Sequence, residues 1–181
     1  AREEAITLAR SFGSEELAAE VEAEFEAVEA RAAAYTASHD SQTMMIFFYT
    51  PGTYFQTSEG YLGSMLSMLP FENLADTVVD PASRTLPTDI ETCLTLNPDV
   101  IFAISPTAPT ADVIQGLYEE TFAQDPDLWN QFSAVANDNI IYLSSEYVTS
   151  KGIQVIDSLN ALIDMLEARY PANATAGSES A

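Results

Sequence analysis

Three short, uniformly apolar runs are what most constrain the fold of this chain. Residues 44–49 read Met-Met-Ile-Phe-Phe-Tyr, with none of the polar alternation of a half-solvated strand. Val100–Ile104 and Ile140–Leu143 repeat the pattern. Runs this short suit strands buried on both faces. The intervening text is helical at about 60–69, 89–96, 110–123 and 127–135, with Asp127 as a cap for the last. Val78-Val79 is long enough for a minor strand. Strands alternating with helices of this length predict an α/β domain of three layers, a mainly parallel central sheet flanked by helices. In such sheets ligands sit beyond the carboxyl ends of the strands. That points to three segments read as loops, 49–61, 105–110 and 144–151.

Before the first strand the chain is helical. Residues 3–12 predict a short helix ending at Gly13, and Ser14 is placed to cap a long one to about Ser38. Leu17, Val21, Phe25, Val28, Ala32 and Tyr35 recur at spacings of three and four, and Glu20, Glu22, Glu26 and Glu29 occupy the other face. Residues 152–169 predict a closing amphipathic helix. From Pro171 onward Ala, Asn, Thr, Gly and Ser dominate, as in a disordered tail.

Charge excludes several functions. Against 28 Asp and Glu stand 6 Lys and Arg, a formal charge of −22, which repels phosphate backbones and anionic lipid. Nucleic acid is therefore not an expected partner. No apolar run is long enough to span a bilayer, and no charged start precedes an apolar segment, so a secretory signal would lie outside this sequence. Cys93 is alone and His39 is the only histidine, too few for a Cys- or His-based metal centre. Met65 and Met68 fit a helix core better than a metal site. Neither a phosphate loop, a nucleophile elbow nor an HExxH motif occurs, so the chain reads as a non-enzyme with no cofactor.

Two segments carry a family resemblance. Thr88-Asp-Ile-Glu-Thr-Cys-Leu-Thr-Leu-Asn-Pro-Asp-Val-Ile-Phe102 and Trp129-Asn-Gln-Phe-Ser-Ala-Val-Ala-Asn-Asp-Asn-Ile-Ile-Tyr142 resemble motifs of the ABC-importer solute-binding proteins for iron–siderophores and cobalamin. The long helix 15–38 is similar to the rigid helix joining the two lobes of that family. The resemblance runs to about Tyr170. It implies an interlobe segment (1–38), a carboxy-terminal α/β lobe (39–170) and a tail (171–181), with the amino-terminal lobe of the same protein absent here. It further implies an extracytoplasmic component, in the periplasm or lipid-anchored at the outer face of the membrane. The implied partners are an iron–siderophore or a cobalamin- or haem-like molecule, and the ABC permease. In the family a glutamate at the matching position docks on permease arginines, which makes Glu91 the candidate here. The residue also suits the first turn of its helix for electrostatic reasons alone.

The ligand side follows from the loops. Tyr49, Thr53, Tyr54 and Ser58 place aromatic surface and hydroxyls after the first strand, suited to a large, partly apolar ligand or to ordinary turn packing. Ser105, Thr107, Ser145 and Tyr147 occupy the corresponding loops, beside Ser144 and Glu146. Arg84 could pair with a ligand carboxylate or with a surface acid. Two alternatives stay open: a cofactor enzyme of flavodoxin-like or nitrogenase-component-like architecture, and a sensor or interaction domain on a binding-protein fold.

Overall fold

The computed structural model describes residues 2–50, 52–78, 85–87, 90–149 and 152–172. The chain divides into two compact units, Ala1–Asp40 with Met68–Pro70 and Lys151–Ala181, and Ser41–Ser67 with Phe71–Ser150.

The first unit holds α1 (Arg2–Phe12), α2 (Glu15–Ala37) and α9 (Gln154–Arg169). Ser14 caps α2 as its sequence predicts, in extended backbone with its Oγ accepting from Leu17 N at 3.1 Å. Gly13 is required by close approach, since a Cβ there would lie 2.7 Å from the Ala9 carbonyl oxygen. The buried stripe of α2 is Ala18, Val21, Phe25, Val28, Ala32 and Tyr35. Leu17, expected in that stripe, is 43% exposed. Ala18, three residues before Val21, begins the stripe instead.

Arg2 reaches Glu29 at 2.9 Å, with Glu22 and Glu26 nearby, and so ties α1 to α2. Arg31 joins α2 to α9 through the Asn160 carbonyl and side chain, Asp164 and Glu167. The hydrogen bond to Asp164 leads the causes that raise its pKa. His39 stacks on Tyr35, and its ring nitrogens lie 2.8 Å from the Tyr35 carbonyl and 2.9 Å from that of Tyr170. That is a structural place for the lone histidine.

The second unit is built on β1 (Gln42–Thr50), β2 (Gly52–Gln56), β3 (Phe71–Asn73), β4 (Thr85–Pro87), β5 (Val100–Ile104) and β6 (Ile140–Leu143). The order is β4-β2-β1-β5-β6, with β3 beside the start of β1. β3, β5 and β6 join parallel pairs, and β2 and β4 are antiparallel. The architecture is α/β, a mostly parallel sheet flanked by helices, as expected. The helices of this unit are α3 (Tyr61–Leu66), α4 (Ile90–Leu96), α5 (Ala111–Gln124), α6 (Pro126–Trp129), α7 (Ser133–Ala136) and α8 (Glu146–Thr149).

Alternate residues of the strands supply two buried sets. Met45, Phe47, Phe55, Ile101, Ala103 and Ile140 share a core with Cys93 of α4, Tyr118 of α5, Trp129 of α6 and Ala134 of α7. Met44, Ile46, Val100, Phe102 and Ile104 are buried on the other side of the same strands. The text Asn97-Pro98-Asp99 makes the turn from α4 into β5. Asn97 takes a positive φ of 44° and exchanges hydrogen bonds with Ser133, and Asp99 Oδ2 accepts from Thr43 N and Oγ1.

Several sequence expectations are corrected. Residues 49–61 are not one loop: Gly52–Gln56 returns along β1 as a hairpin strand, because Tyr and Phe in Gly-Thr-Tyr-Phe-Gln suit a pleated surface. Short strands form at Phe71–Asn73 and Thr85–Pro87, and Val78 is not in one. Val78 follows a short 3-10 turn, Leu74–Thr77, and Val79 lies outside the described residues. The helix expected at 127–135 is two, because Phe132 is held extended to bury its ring against Trp129. Asp125, not Asp127, caps the first of them. Asp89, the expected start of the helix over 89–96, and the tail from 173 lie outside the described residues. Met68, expected in helix core, follows α3 and is exposed.

Candidate ligand-binding edge of the sheet

Register defines the edge. Phe48 lies beside Ile104, and Ile104 beside Leu143, so β5 and β6 end at one level and β1 runs on to Thr50 beside β2. The segments that follow β5 and β6 are fastened together there. Ser145 N donates to the Ala108 carbonyl at 2.9 Å, and the turn into α8 is closed by Tyr147 N to Ser144 O and Val148 N to Ser145 O.

The candidate residues do not all share this edge. Thr107 is exposed on it and Ser145 is half-buried. Ser105 is 0% exposed, and its Oγ accepts from Thr107 N at 3.2 Å and lies 3.0 Å from Thr107 Oγ1. Ser105 therefore shapes the loop from beneath. Tyr147 is also buried, 4% exposed, and contributes packing.

Tyr49 is near the edge, but its ring packs edge-on against Tyr118, 5.8 Å between centroids. Tyr54 pairs with Phe48, next along β1 from Tyr49 and so on the opposite face of the sheet. Thr53 pairs with Tyr49 in the backbone, and its side chain lies outside the described residues. Ser58 is carried away by β2: Gln56 is already opposite Ile46, mid-strand, and Ser58 N donates to Asp76 Oδ1. Sequence spacing missed this because it took a returning strand for a loop. Arg84 lies outside the described residues.

Among the described residues of the second unit there is no Lys, Arg or His. Burial pushes the Tyr142 phenol up to about 12, with Glu119 and Asp138 adding to it. Among the described residues, no three His, Cys, Asp or Glu side chains converge to hold a metal ion, and no helix is long and apolar enough to cross a membrane. Away from the edge, Glu91 is exposed on α4. It lines a groove of about 310 Å³ with Val78, Thr92, Thr95 and Leu96.

Comparison with known proteins places this architecture in a class. Residues 1–147 match the family model described as periplasmic binding protein. The chain belongs to the periplasmic binding protein family. An ABC-transporter substrate-binding protein of Listeria monocytogenes has the same fold at 21% identity and TM-score 0.72, covering 89% of this chain and 62% of its own. So does haem-complexed IsdE of S. aureus, at 19% identity and TM-score 0.73, with 91% and 62% covered. The vitamin B12 binding protein BtuF of Vibrio cholerae follows at 15% identity and TM-score 0.67, with 92% and 60% covered. This chain thus spans less than two thirds of the length of each. No curated protein sequence matches it.

Proposed function

We propose that this chain is one lobe of the extracytoplasmic substrate-binding component of an ABC importer for an iron–siderophore or a related large ligand. Family membership over residues 1–147 carries the reading. The clipped loops beyond β5 and β6 support it, since they form an edge where a fold of this kind can offer polar groups to a ligand. The other half of the cleft belongs to an amino-terminal lobe of the same protein. Of the candidate contacts, Thr107 and Ser145 are retained as direct ones, with Thr53, Tyr54 and Arg84 as further positions. Ser105, Tyr49, Ser58 and Tyr147 are not: their packing, hydrogen bonds or place along β2 give them structural work. Haem and cobalamin are the other cargo classes, named by two of the similar folds.

Glu91 is the proposed contact with the permease. An exposed carboxylate opposite guanidinium groups registers two surfaces at small desolvation cost. Binding of a ferric trihydroxamate, cyanocobalamin and haemin to the full-length protein, followed by calorimetry, tests the cargo class. Nanomolar affinity of the isolated lobe would refute the shared cleft. Glu91→Ala in the full-length protein is expected to reduce uptake with ligand affinity unchanged, and unchanged uptake would remove Glu91 from docking.

A further inference from the structure

The outer face of α1 carries one further step, which rests on the two-lobe part of the reading above. Ala5 and Ile6 are buried where α1 packs on α2. The apolar surface of α1 is wider than that strip. Leu8 is 56% exposed, and Phe12, one turn further on, is 86% exposed. Leu17 continues the patch across the turn: it too is exposed, and a Cβ on Gly13 would lie 2.5 Å from Leu17 Cδ2. An open groove of about 470 Å³ runs beside Leu8 along Glu3, Glu4 and Thr7. Single exposed apolar side chains are ordinary. Three neighbours beside a groove, led by a phenylalanine almost wholly in water, mark an interaction surface.

Charge and chain length select what covers it. Glu3 and Glu4 line the groove, and Arg10 is already paired with Glu15 at 3.0 Å. A second copy would set like charges against each other, and an anionic membrane surface would be repelled in the same way. The segment 171–181, Pro-Ala-Asn-Ala-Thr-Ala-Gly-Ser-Glu-Ser-Ala, has no large apolar side chain to fill the patch. The similar structures, by contrast, are matched over only 60 to 62% of their length, and the remainder is enough chain for a second lobe. A lobe on the same chain docks intramolecularly and needs little intrinsic affinity. We infer that the amino-terminal lobe of the same protein docks on Leu8, Phe12 and Leu17, presenting an apolar surface with a cationic rim toward Glu3 and Glu4. Phe12 is the anchor of that contact, since a rigid aromatic ring offers the most area for the least lost freedom.

Thiol labelling and photo-crosslinking in the full-length protein test this. Phe12→Cys and Leu8→Cys should react with a maleimide about tenfold more slowly, or slower still, than Glu120→Cys, an exposed position on α5. The protection should be the same at every protein concentration. Should Phe12→Cys fail to fold, as read from Trp129 emission, Leu8→Cys decides. A benzophenone-bearing phenylalanine analogue in place of Leu8 should crosslink to a peptide preceding Ala1, at the mass of the monomer. Labelling at position 8 as fast as at 120, a crosslink at dimer mass only, or protection lost on dilution would overturn the contact. Open positions 8 and 12 together with nanomolar binding of a ferric trihydroxamate, cyanocobalamin or haemin would overturn this inference and leave the importer reading standing. Protection with none of the three bound would overturn the importer reading and support the contact.

Discussion

Replacing Tyr118 with Phe is expected to stabilise the protein. Tyr118 lies on α5 with 0% of its surface exposed, and its hydroxyl has no hydrogen-bond partner among the described residues. The ring is enclosed by Phe47, Tyr49, Phe122 and Tyr142, with centroids 6.3, 5.8, 5.8 and 6.4 Å away. Burial first, then the neighbouring Tyr142 and Tyr49, drives its ionisation far above the usual phenol range, so the group stays neutral at any working pH. An unpaired buried hydroxyl costs about 1–3 kcal/mol. Removing the oxygen relieves that penalty and keeps every ring contact, against a small loss for the void left behind. A net gain of about 1 kcal/mol follows, or roughly 2–4 °C in Tm for a chain of this size. Urea unfolding is the assay. Trp129 is the single tryptophan, 8% exposed and 4.9 Å from Phe122 in the same cluster, so its fluorescence reports this core rather than the ligand edge. The midpoint should rise at unchanged slope. A loss of about 1 kcal/mol or more would show that the hydroxyl is bonded, through a buried water, and would refute the argument from an unpaired oxygen.

Two other predictions concern charge and pH. With a formal charge of −22, self-repulsion opposes the compact state more than the few surface ion pairs support it, so Tm should rise as NaCl is increased toward 1 M; a falling Tm in a salt series would refute this. Tyr35 and Tyr142 are both pushed up to about 12, chiefly by burial. The unfolded chain releases these protons from pH ~10 while the folded chain holds them, so stability is intact below ~10 and declines between ~10 and 12. Tyr142→Phe should flatten that decline in alkaline unfolding curves, and an identical slope would exclude Tyr142 as a contributor.

Elements whose signal is local were legible in the residues alone. The runs at 100–104 and 140–143 form strands with those bounds, and the Ser14 cap and the period of α2 hold because capping and helical spacing depend only on residues within a turn or two. The motif text also marked the family. Which candidates reach the candidate edge was settled by packing and strand pairing. Whether the chain after Tyr49 stays a loop or returns as a strand depends on pairing with β1, and that pairing carries Ser58 away and sets Tyr49 and Tyr54 on opposite faces. Burial of Phe132 against Trp129 broke a helix that periodicity would have continued. Ser105 and Thr107 look alike in sequence. One is sealed beneath the loop and the other exposed on it, and that difference in solvent access is a property of the packed fold.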